Sequence, residues 1–158
     1  MDPTTRLSRV TARAIAGGRR STDVAVERRR DGDADVFRVT ADGAAAVQIR
    51  VPLETGEHIA GFGEQFIHVD KRGRTIDGWI GTDGGQPASP YTKGVDGGYC
   101  LAPLWHSSHG YVAYSPTTAR WKVDVGVVEP GWIVLEVPHP SIELVVISGH
   151  PTDTVGPL

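Results

Sequence analysis

The sequence predicts an all-β protein, an antiparallel β-sandwich, and three observations support that prediction. Glycine occurs 20 times and proline 11 times among 158 residues, a density that disfavours long helices. Apolar and polar residues alternate in seven short segments, with the period of strands that bury one face. Turn sequences separate most of these segments, as expected for strands that fold back on their neighbours.

The seven predicted strands are bounded by turn signals such as DGDAD, ADGA, SPTT, EPG and HPS. In the fifth segment, the odd-numbered residues from Trp121 to Val127 are predicted to face the core. Lys122 and Asp124, which alternate with them, are predicted to face water. In chain order the segments span residues 22–29, 35–41, 45–51, 110–115, 120–127, 131–137 and 142–148.

The chain is expected to form one domain with a short extension at each end, since its length is usual for a single domain. Residues 1–20 are interpreted as a lead-in that is partly disordered or, alternatively, as a first strand. Residues 21–150 are assigned to the sandwich. Residues 151–158 begin with a helix-start signal that does not develop, so they are interpreted as the start of a linker.

Composition and charge argue against several classes of function. The formal net charge of −3 does not suggest a nucleic-acid surface. The basic run Arg28–Arg30 is followed at once by acidic residues and is interpreted as a solvated turn. No stretch approaches the roughly 20 apolar residues of a membrane helix, and the first residues lack the apolar stretch of a secretory signal. We therefore expect no nucleic-acid or membrane partner.

The single cysteine, Cys100, leaves no internal disulfide and fits a reducing compartment, so a cytoplasmic location is expected. It lies in the apolar run GYCLAPLW. A buried, inert thiol is expected there rather than a catalytic nucleophile.

A glycine-bent segment, GFGEQF at 61–66, allows two interpretations. A dinucleotide-binding loop requires a third glycine and a following helix and strand, whereas this segment has Phe66 and no such pattern. A structural corner fits better, because Gly61 and Gly63 allow backbone angles that a side chain disfavours. Phe62 and Phe66 are then expected to enter the core.

Other polar motifs give weaker signals. In KRGR at 71–74, Arg72 or Arg74 is expected to pair with a nearby carboxylate rather than with a ligand. His106 and His109 have the three-residue spacing of a helical zinc site, but their segment is predicted to be extended, so the rings face opposite sides. No GxSxG nucleophile elbow is present, although residue counting alone leaves a Ser/His/Asp triad open.

The segment 76–98 interrupts the strand pattern with seven glycines and two prolines in 23 positions. A loop of this length is uncommon in a compact domain and is usually functional or disordered. Trp79 and Tyr91 argue against plain disorder, because disordered linkers are poor in such anchors.

Taken in order, GFGEQF, KRGR, WIGTD, Tyr91 and LAPLWHSSHGYVAYSPTTARWKVDVG resemble the N-terminal β-sandwich domain of family 31 glycoside hydrolases. This is the α-glucosidase and α-xylosidase family, and its sandwich is of the galactose-mutarotase-like kind. The tail ISGHPTDTV is similar to the exit from that domain, so the resemblance covers about residues 35–155.

The resemblance implies a carbohydrate site on the loop 76–98. By position, Asp83 matches an aspartate that lies near the substrate sugar, although a turn-capping role before two glycines is the alternative. Trp79 and Tyr91 would add apolar surfaces for a sugar face, with a core anchor as the alternative for Trp79. The sequence departs from the family where Ile80-Gly81 replaces the usual Asn after the loop tryptophan.

The resemblance also implies that catalysis takes place elsewhere. Family members act without a cofactor from a (β/α)8 barrel whose two aspartates are nucleophile and acid/base, and the W-x-D-M-N-type nucleophile motif does not occur here. No catalytic or metal-binding residue is therefore assigned to this chain. Its expected role is to pack on the barrel and cap the active site of a retaining α-glycosidase. A stand-alone carbohydrate-binding or protein-interaction sandwich is the alternative.

Overall fold

The structure, a computed structural model, describes residues 6–16, 19–21, 24–63, 68–78 and 100–149. Within these residues the chain forms two six-stranded sheets, and every strand pairing is antiparallel. The antiparallel β-sandwich predicted from the sequence is confirmed.

The strands, numbered in chain order, form a first sheet with the order β2-β1-β5-β11-β10-β7 and a second with the order β3-β4-β12-β9-β8-β6. Their bounds are β1 Thr11–Ala16, β2 Arg19–Ser21, β3 Ala25–Asp31, β4 Ala34–Thr40, β5 Ala46–Pro52, β6 Ile59–Gly63, β7 Arg74–Gly78, β8 Leu101–Ser107, β9 Tyr111–Tyr114, β10 Trp121–Val125, β11 Trp132–Val137 and β12 Ser141–Ser148.

The hydrophobic core lies between the two sheets and is built by the alternating residues of their inner strands. On β5 of the first sheet Val47 and Ile49 are fully buried, and on β12 of the second sheet Leu144 and Val146 are fully buried. Burying a side chain of this size contributes about 1.5–3 kcal/mol relative to exposure. The seven alternating segments of the sequence correspond to β3, β4, β5, β9, β10, β11 and β12.

The remaining strands lie outside those seven segments. Residues 1–20, interpreted as a lead-in or a first strand, contribute β1, which pairs with β5 from Thr11↔Arg50 to Ile15↔Ala46. The predicted loop 76–98 starts later than expected, because Ile76 to Gly78 pair with β10 as part of β7. In the described part of the chain, no helix has the length and apolarity needed to span a bilayer.

The alternation predicted for residues 120–127 is wrong at two positions. Val127 is 51% exposed because β10 ends at Val125 and the positive φ of 76° at Gly126 turns the chain away from the core. Asp124 is buried rather than solvated. Its carboxylate accepts hydrogen bonds from the backbone N–H of Val128 and the hydroxyl of Thr75, so it holds the β10–β11 turn against the sheet.

Three further expectations are corrected. Cys100 is exposed, because it precedes β8 at the end of the sandwich and is not part of the buried strand. Arg28–Arg30 lie on β3 rather than in a turn, and Arg28 and Arg30 both bind the carboxylate of Asp35. Among the described residues, Arg72 donates to the backbone carbonyls of Glu54 and Glu57 and Arg74 to His68 Nε2, so neither pairs with a carboxylate there.

Candidate functional site

The glycine-bent corner is the structural start of the candidate site. Gly61 and Gly63 have φ values of 130° and 92°, and Phe62 between them has a φ of 67°. The register of β6 against β8 shifts between the two glycines, as in a β-bulge. A Cβ atom on Gly61 would lie 2.5 Å from the carbonyl oxygen of Leu104, which is closer than atoms can approach. The interpretation as a structural corner is therefore supported at the described residues 61–63.

The bulge directs Phe62 into the core between the two sheets. Its ring lies 5.7 Å from that of Trp105 on β8 and 6.1 Å from that of Trp121 on β10. Phe62 and Trp105 are fully buried and Trp121 is 4% exposed. Offset aromatic contacts at these distances add about 0.5–1.5 kcal/mol each to the burial energy. The three rings thus join the sheets beneath the end of the sandwich from which the long loop departs.

The ends of that loop are set by two strands in different sheets. β7 of the first sheet ends at Gly78, and β8 of the second begins at Leu101. The indole of Trp121 lies directly against Gly78, in the space a Cβ would need. Both ends line a groove of about 400 Å³, together with Thr117 and Ala119. At its margin Arg120 binds the carboxylate of Asp77 through two nitrogens.

The residues predicted to contact sugar lie outside the described residues. These residues are Trp79, Asp83 and Tyr91, all within 79–99. The described residues therefore test neither the predicted sugar contacts nor the alternative structural roles of Asp83 and Trp79. Glu64, Gln65 and Phe66 of the corner also fall outside. The structure therefore provides the frame from which the predicted site departs, and the site assignments themselves stay predictions.

A second polar cluster, which the sequence did not predict, lies at the opposite end of the sandwich. Glu57, in the turn before β6, is fully buried, and Arg6 is 2% exposed. The Arg6 guanidinium donates to Glu57 Oε1 at 2.6 Å, and the hydroxyl of Ser107 donates to the same oxygen. The backbone N–H of Glu54 donates to Glu57 Oε2 at 2.7 Å. This buried carboxylate therefore ties the N-terminal segment to β8.

Two rings flank this cluster. The Arg6 guanidinium donates to His109 Nδ1 at 3.0 Å and lies 5.1 Å from the ring centre of Tyr111. Burial and the negative charge of Glu57 raise the pKa of Tyr111, so the phenol stays neutral. Among the described contacts, the Ser107 hydroxyl donates to the carboxylate of Glu57 and not to a histidine ring. A serine nucleophile is usually activated by donating to a histidine base, and this arrangement does not provide that contact. The cluster fits a structural anchor.

His58 and Asp70 form a partly exposed pair on the outer face of the second sheet. His58 Nδ1 lies 2.6 Å from Asp70 Oδ2, and the backbone N–H groups of Ile59 and Arg72 donate to Asp70 Oδ1. Burial alone would raise the pKa of Asp70, but the hydrogen bonds from His58 and the two backbone groups outweigh it and lower the pKa below its usual value. Ser108 Oγ accepts from the backbone N–H of His58, so the described contacts do not form a Ser/His/Asp relay here.

Replacing Asp70 with asparagine is expected to lower stability at neutral pH and to have no effect in strong acid. A carboxyl group with a lowered folded-state pKa stabilises the fold above its unfolded pKa of about 3.9. That contribution is lost as the pH falls through the folded-state value. Urea midpoints of wild type and Asp70→Asn at pH 7, 5 and 3 will show a difference that shrinks below pH 4. Asp42→Asn, in an exposed turn, serves as the control, and a difference that grows in acid would contradict the assignment.

Comparisons with known proteins bear on the fold. No protein-family model matches the sequence, and no curated protein sequence matches it. Solved structures do. A cycloalternan-degrading enzyme from Trueperella pyogenes matches with 22% identity over 91% of this chain and a TM-score of 0.59. A GH31 family sulfoquinovosidase from E. rectale matches with 17% identity over 80% of this chain and a TM-score of 0.59. This chain therefore shares the sandwich fold of a region of these enzymes.

The likeness extends to a further solved enzyme. A Flavobacterium johnsoniae GH31 dextranase matches with 16% identity over 78% of this chain and a TM-score of 0.53. The chain spans 23%, 21% and 19% of the lengths of these three proteins, so it corresponds to about one fifth of each. The resemblance inferred from the sequence motifs is thus confirmed at the level of the fold.

Proposed function

We propose that this chain is the sandwich domain of a retaining α-glycosidase of the GH31 type. In the proposed arrangement it packs on a catalytic barrel and caps the active site through the loop 76–98. The observation that carries the proposal is the fold likeness, which covers 78–91% of this chain but only 19–23% of each matched enzyme. A domain that makes up one fifth of several sugar-cleaving enzymes is suited to support chemistry carried out by the rest.

The chemistry of retaining hydrolysis supports this division of roles. It requires two carboxyl groups about 5–5.5 Å apart on either side of the scissile bond. The nucleophile motif of the family does not occur in this sequence, so the two catalytic groups are assigned to the barrel. The sandwich contributes binding instead: Asp83 accepts hydrogen bonds from sugar hydroxyls, and Trp79 and Tyr91 face the apolar side of a sugar ring.

The described frame supports a loop that projects over a neighbouring active site. Its two ends are attached to opposite sheets, at Gly78 and Leu101, above the Trp105–Phe62–Trp121 stack. A loop held on both sides by a rigid core can place a side chain with little loss of entropy on binding. The matched enzymes are named for sulfoquinovosides, dextran and cycloalternan, and α-glucosides and α-xylosides are the first substrates to test here.

The proposal predicts that the purified 158-residue protein does not hydrolyse aryl α-glycosides. Release of nitrophenol from 4-nitrophenyl α-glucoside and α-xyloside is measured for this protein and for the longest natural polypeptide that contains it. Only the longer polypeptide is expected to be active, with retention of configuration seen by NMR. Nitrophenol release by the 158-residue protein, or a longer polypeptide that is inactive on every α-glycoside, would contradict the proposal.

Variants of the longer polypeptide test the loop. Asp83→Ala is expected to lower kcat/KM about tenfold to a hundredfold, the value of a hydrogen bond to a charged group. Asp31→Ala, at the exposed end of β3, is the control and is expected to leave kcat/KM unchanged. Equal effects of the two substitutions on kcat/KM would show that Asp83 does not contact the substrate.

A further inference from the structure

A second groove lies beside the loop ends, on the outer face of the second sheet. It has a volume of about 620 Å³, within the range of small-molecule sites, and it is bounded by β4, β12 and the segment 115–119. We call it the hydroxyl groove. Five of the residues that line it carry hydroxyl groups: Thr40, Ser115, Thr117, Thr118 and Ser141.

One of these hydroxyls is buried without a partner. Ser115 is 5% exposed, and its Oγ makes no hydrogen bond within the described residues. A buried hydroxyl normally bonds to protein or to a bound molecule, because leaving it unpaired costs free energy. The backbone N–H of Ser115, in contrast, donates to the carbonyl of Pro103 at 2.9 Å, which fixes the position of the residue. Ser115 lines the groove, and its Oγ is a buried hydroxyl without a hydrogen-bond partner among the described residues.

The charged residues of the groove are balanced and complementary. Arg38 on β4 and Glu143 on β12 face each other across the ladder at 3.3 Å, and both line the groove. Arg38 supplies only donors, and Glu143 supplies only acceptors. The pair is exposed, so it gains little from its own contact and can exchange it for a ligand. The opposite charges cancel, which disfavours an ion as ligand and favours a neutral molecule with both donors and acceptors.

A histidine adds a further polar group. His139 lines the groove, and its Nδ1 lies 3.1–3.2 Å from the backbone nitrogen, the hydroxyl and the carbonyl oxygen of Ser141. Ile142, Pro116 and Ala119 provide the apolar part of the lining. Adjacent hydroxyls of a sugar ring each donate and accept, and the C–H faces of the ring are apolar. The lining matches those two properties.

We propose that the hydroxyl groove binds a neutral oligosaccharide, as a second site next to the one predicted on the loop 76–98. The segment Thr117–Ala119 forms a wall of both this groove and the groove at the loop ends. The two grooves are therefore direct neighbours. The choice of oligosaccharides over other polyhydroxylated molecules rests on the proposed function. The site holds the distal units of a long substrate.

The test is a titration of the 158-residue protein with maltotetraose and with isomaltotetraose, followed by amide chemical shifts in two-dimensional NMR. At least one of them is expected to shift the amides of residues 115–119 and 139–143. Arg38→Gln is expected to weaken binding at least about fivefold, and Ser115→Ala about threefold, as for loss of one or two hydrogen bonds. Arg29→Gln, an equally exposed arginine of β3, is the control and is expected to bind as wild type.

Ser115→Ala separates ligand binding from folding. Since Ser115 Oγ has no hydrogen-bond partner among the described residues, its removal is expected to leave the melting temperature unchanged or raised while binding weakens. The proposal is overturned if neither saccharide shifts these amides, if inorganic phosphate shifts them instead, or if the variants bind as tightly as wild type. An active longer polypeptide without these shifts would overturn the groove proposal alone. The shifts together with an inactive longer polypeptide would overturn only the proposed function.

Discussion

Replacing Gly63 with alanine is expected to abolish the native fold or to cost more than about 4 kcal/mol of stability, well beyond an ordinary substitution. A Cβ at this position would overlap the carbonyl oxygen of Cys100 and lie 2.8 Å from Leu101 Cα. Both are backbone atoms, the first of the residue just before β8 and the second of Leu101, which pairs with Gly63 in the sheet, so they cannot move aside as a side chain can. Gly63 also has a φ of 92°, which adds conformational strain for any side chain.

The measurement is the free energy of unfolding in urea, with Gly43→Ala as the matched control. Gly43 also has a positive φ, 74°, but a Cβ there meets nothing within 4 Å. Its substitution is expected to cost only the conformational penalty of about 1–2 kcal/mol. Comparable losses for the two variants would show that the close approach of β6 and β8 does not decide stability. Gly61→Ala is expected to behave like Gly63→Ala, because its Cβ would meet the backbone of Leu104.

Replacing Glu57 with glutamine is expected to cost about 3–5 kcal/mol, the range for breaking a buried ion pair by removing one partner. Glu57 is fully buried, and its carboxylate accepts from Arg6, Ser107 and the backbone N–H of Glu54. An amide in its place keeps the shape but leaves the Arg6 guanidinium without a counter-charge in a buried position. Glutamine also supplies one acceptor oxygen where the carboxylate supplies two.

The measurement is the free energy of unfolding by chemical denaturation, compared between Glu57→Gln and Glu54→Gln. The first variant breaks the buried ion pair with Arg6, and the second breaks a more exposed ion pair nearby. The carboxylate of Glu54 pairs with Arg9, whose side chain is 48% exposed, so the second substitution is expected to cost less than about 1 kcal/mol. Arg6→Met is expected to be as damaging as Glu57→Gln, because it strands the buried carboxylate. A loss below about 1 kcal/mol for both Arg6→Met and Glu57→Gln would show that this cluster does not anchor the N-terminal segment.

Local patterns were enough to predict most of the sandwich. Period-two alternation identified seven of the strands, since a half-buried strand places every second side chain in the core. The Gly-Phe-Gly pattern predicted a corner, and Gly61 and Gly63 do have the backbone angles that glycine tolerates best. Where the pattern misplaced residues, a specific contact explains it. Asp124 is buried because three groups of the β10–β11 turn and β7 donate to it.

Local sequence patterns did not predict contacts between distant segments. Arg6 and Glu57 are 51 residues apart, and Glu57 and Ser107 are 50 apart. Arg6 and Glu57 stand in none of the motifs, no motif points from Ser107 to either of them, and each of these residue types is usually exposed. The hydroxyl groove likewise combines β4, β12 and the segment 115–119, whose common surface depends on the pairing of β12 with both β4 and β9.

Residue order alone predicts an antiparallel sandwich with a tight corner at 61–63, because strand alternation and glycine backbone freedom are local properties. The order of motifs that resembles the family 31 sandwich is also a property of the sequence. The three-dimensional fold was needed to show which polar groups are buried together, which strand ends flank the segment 79–99, and where a groove opens beside them. Those features arise from strand order and from side chains that meet across the sheets, and residues near one another in sequence do not encode them.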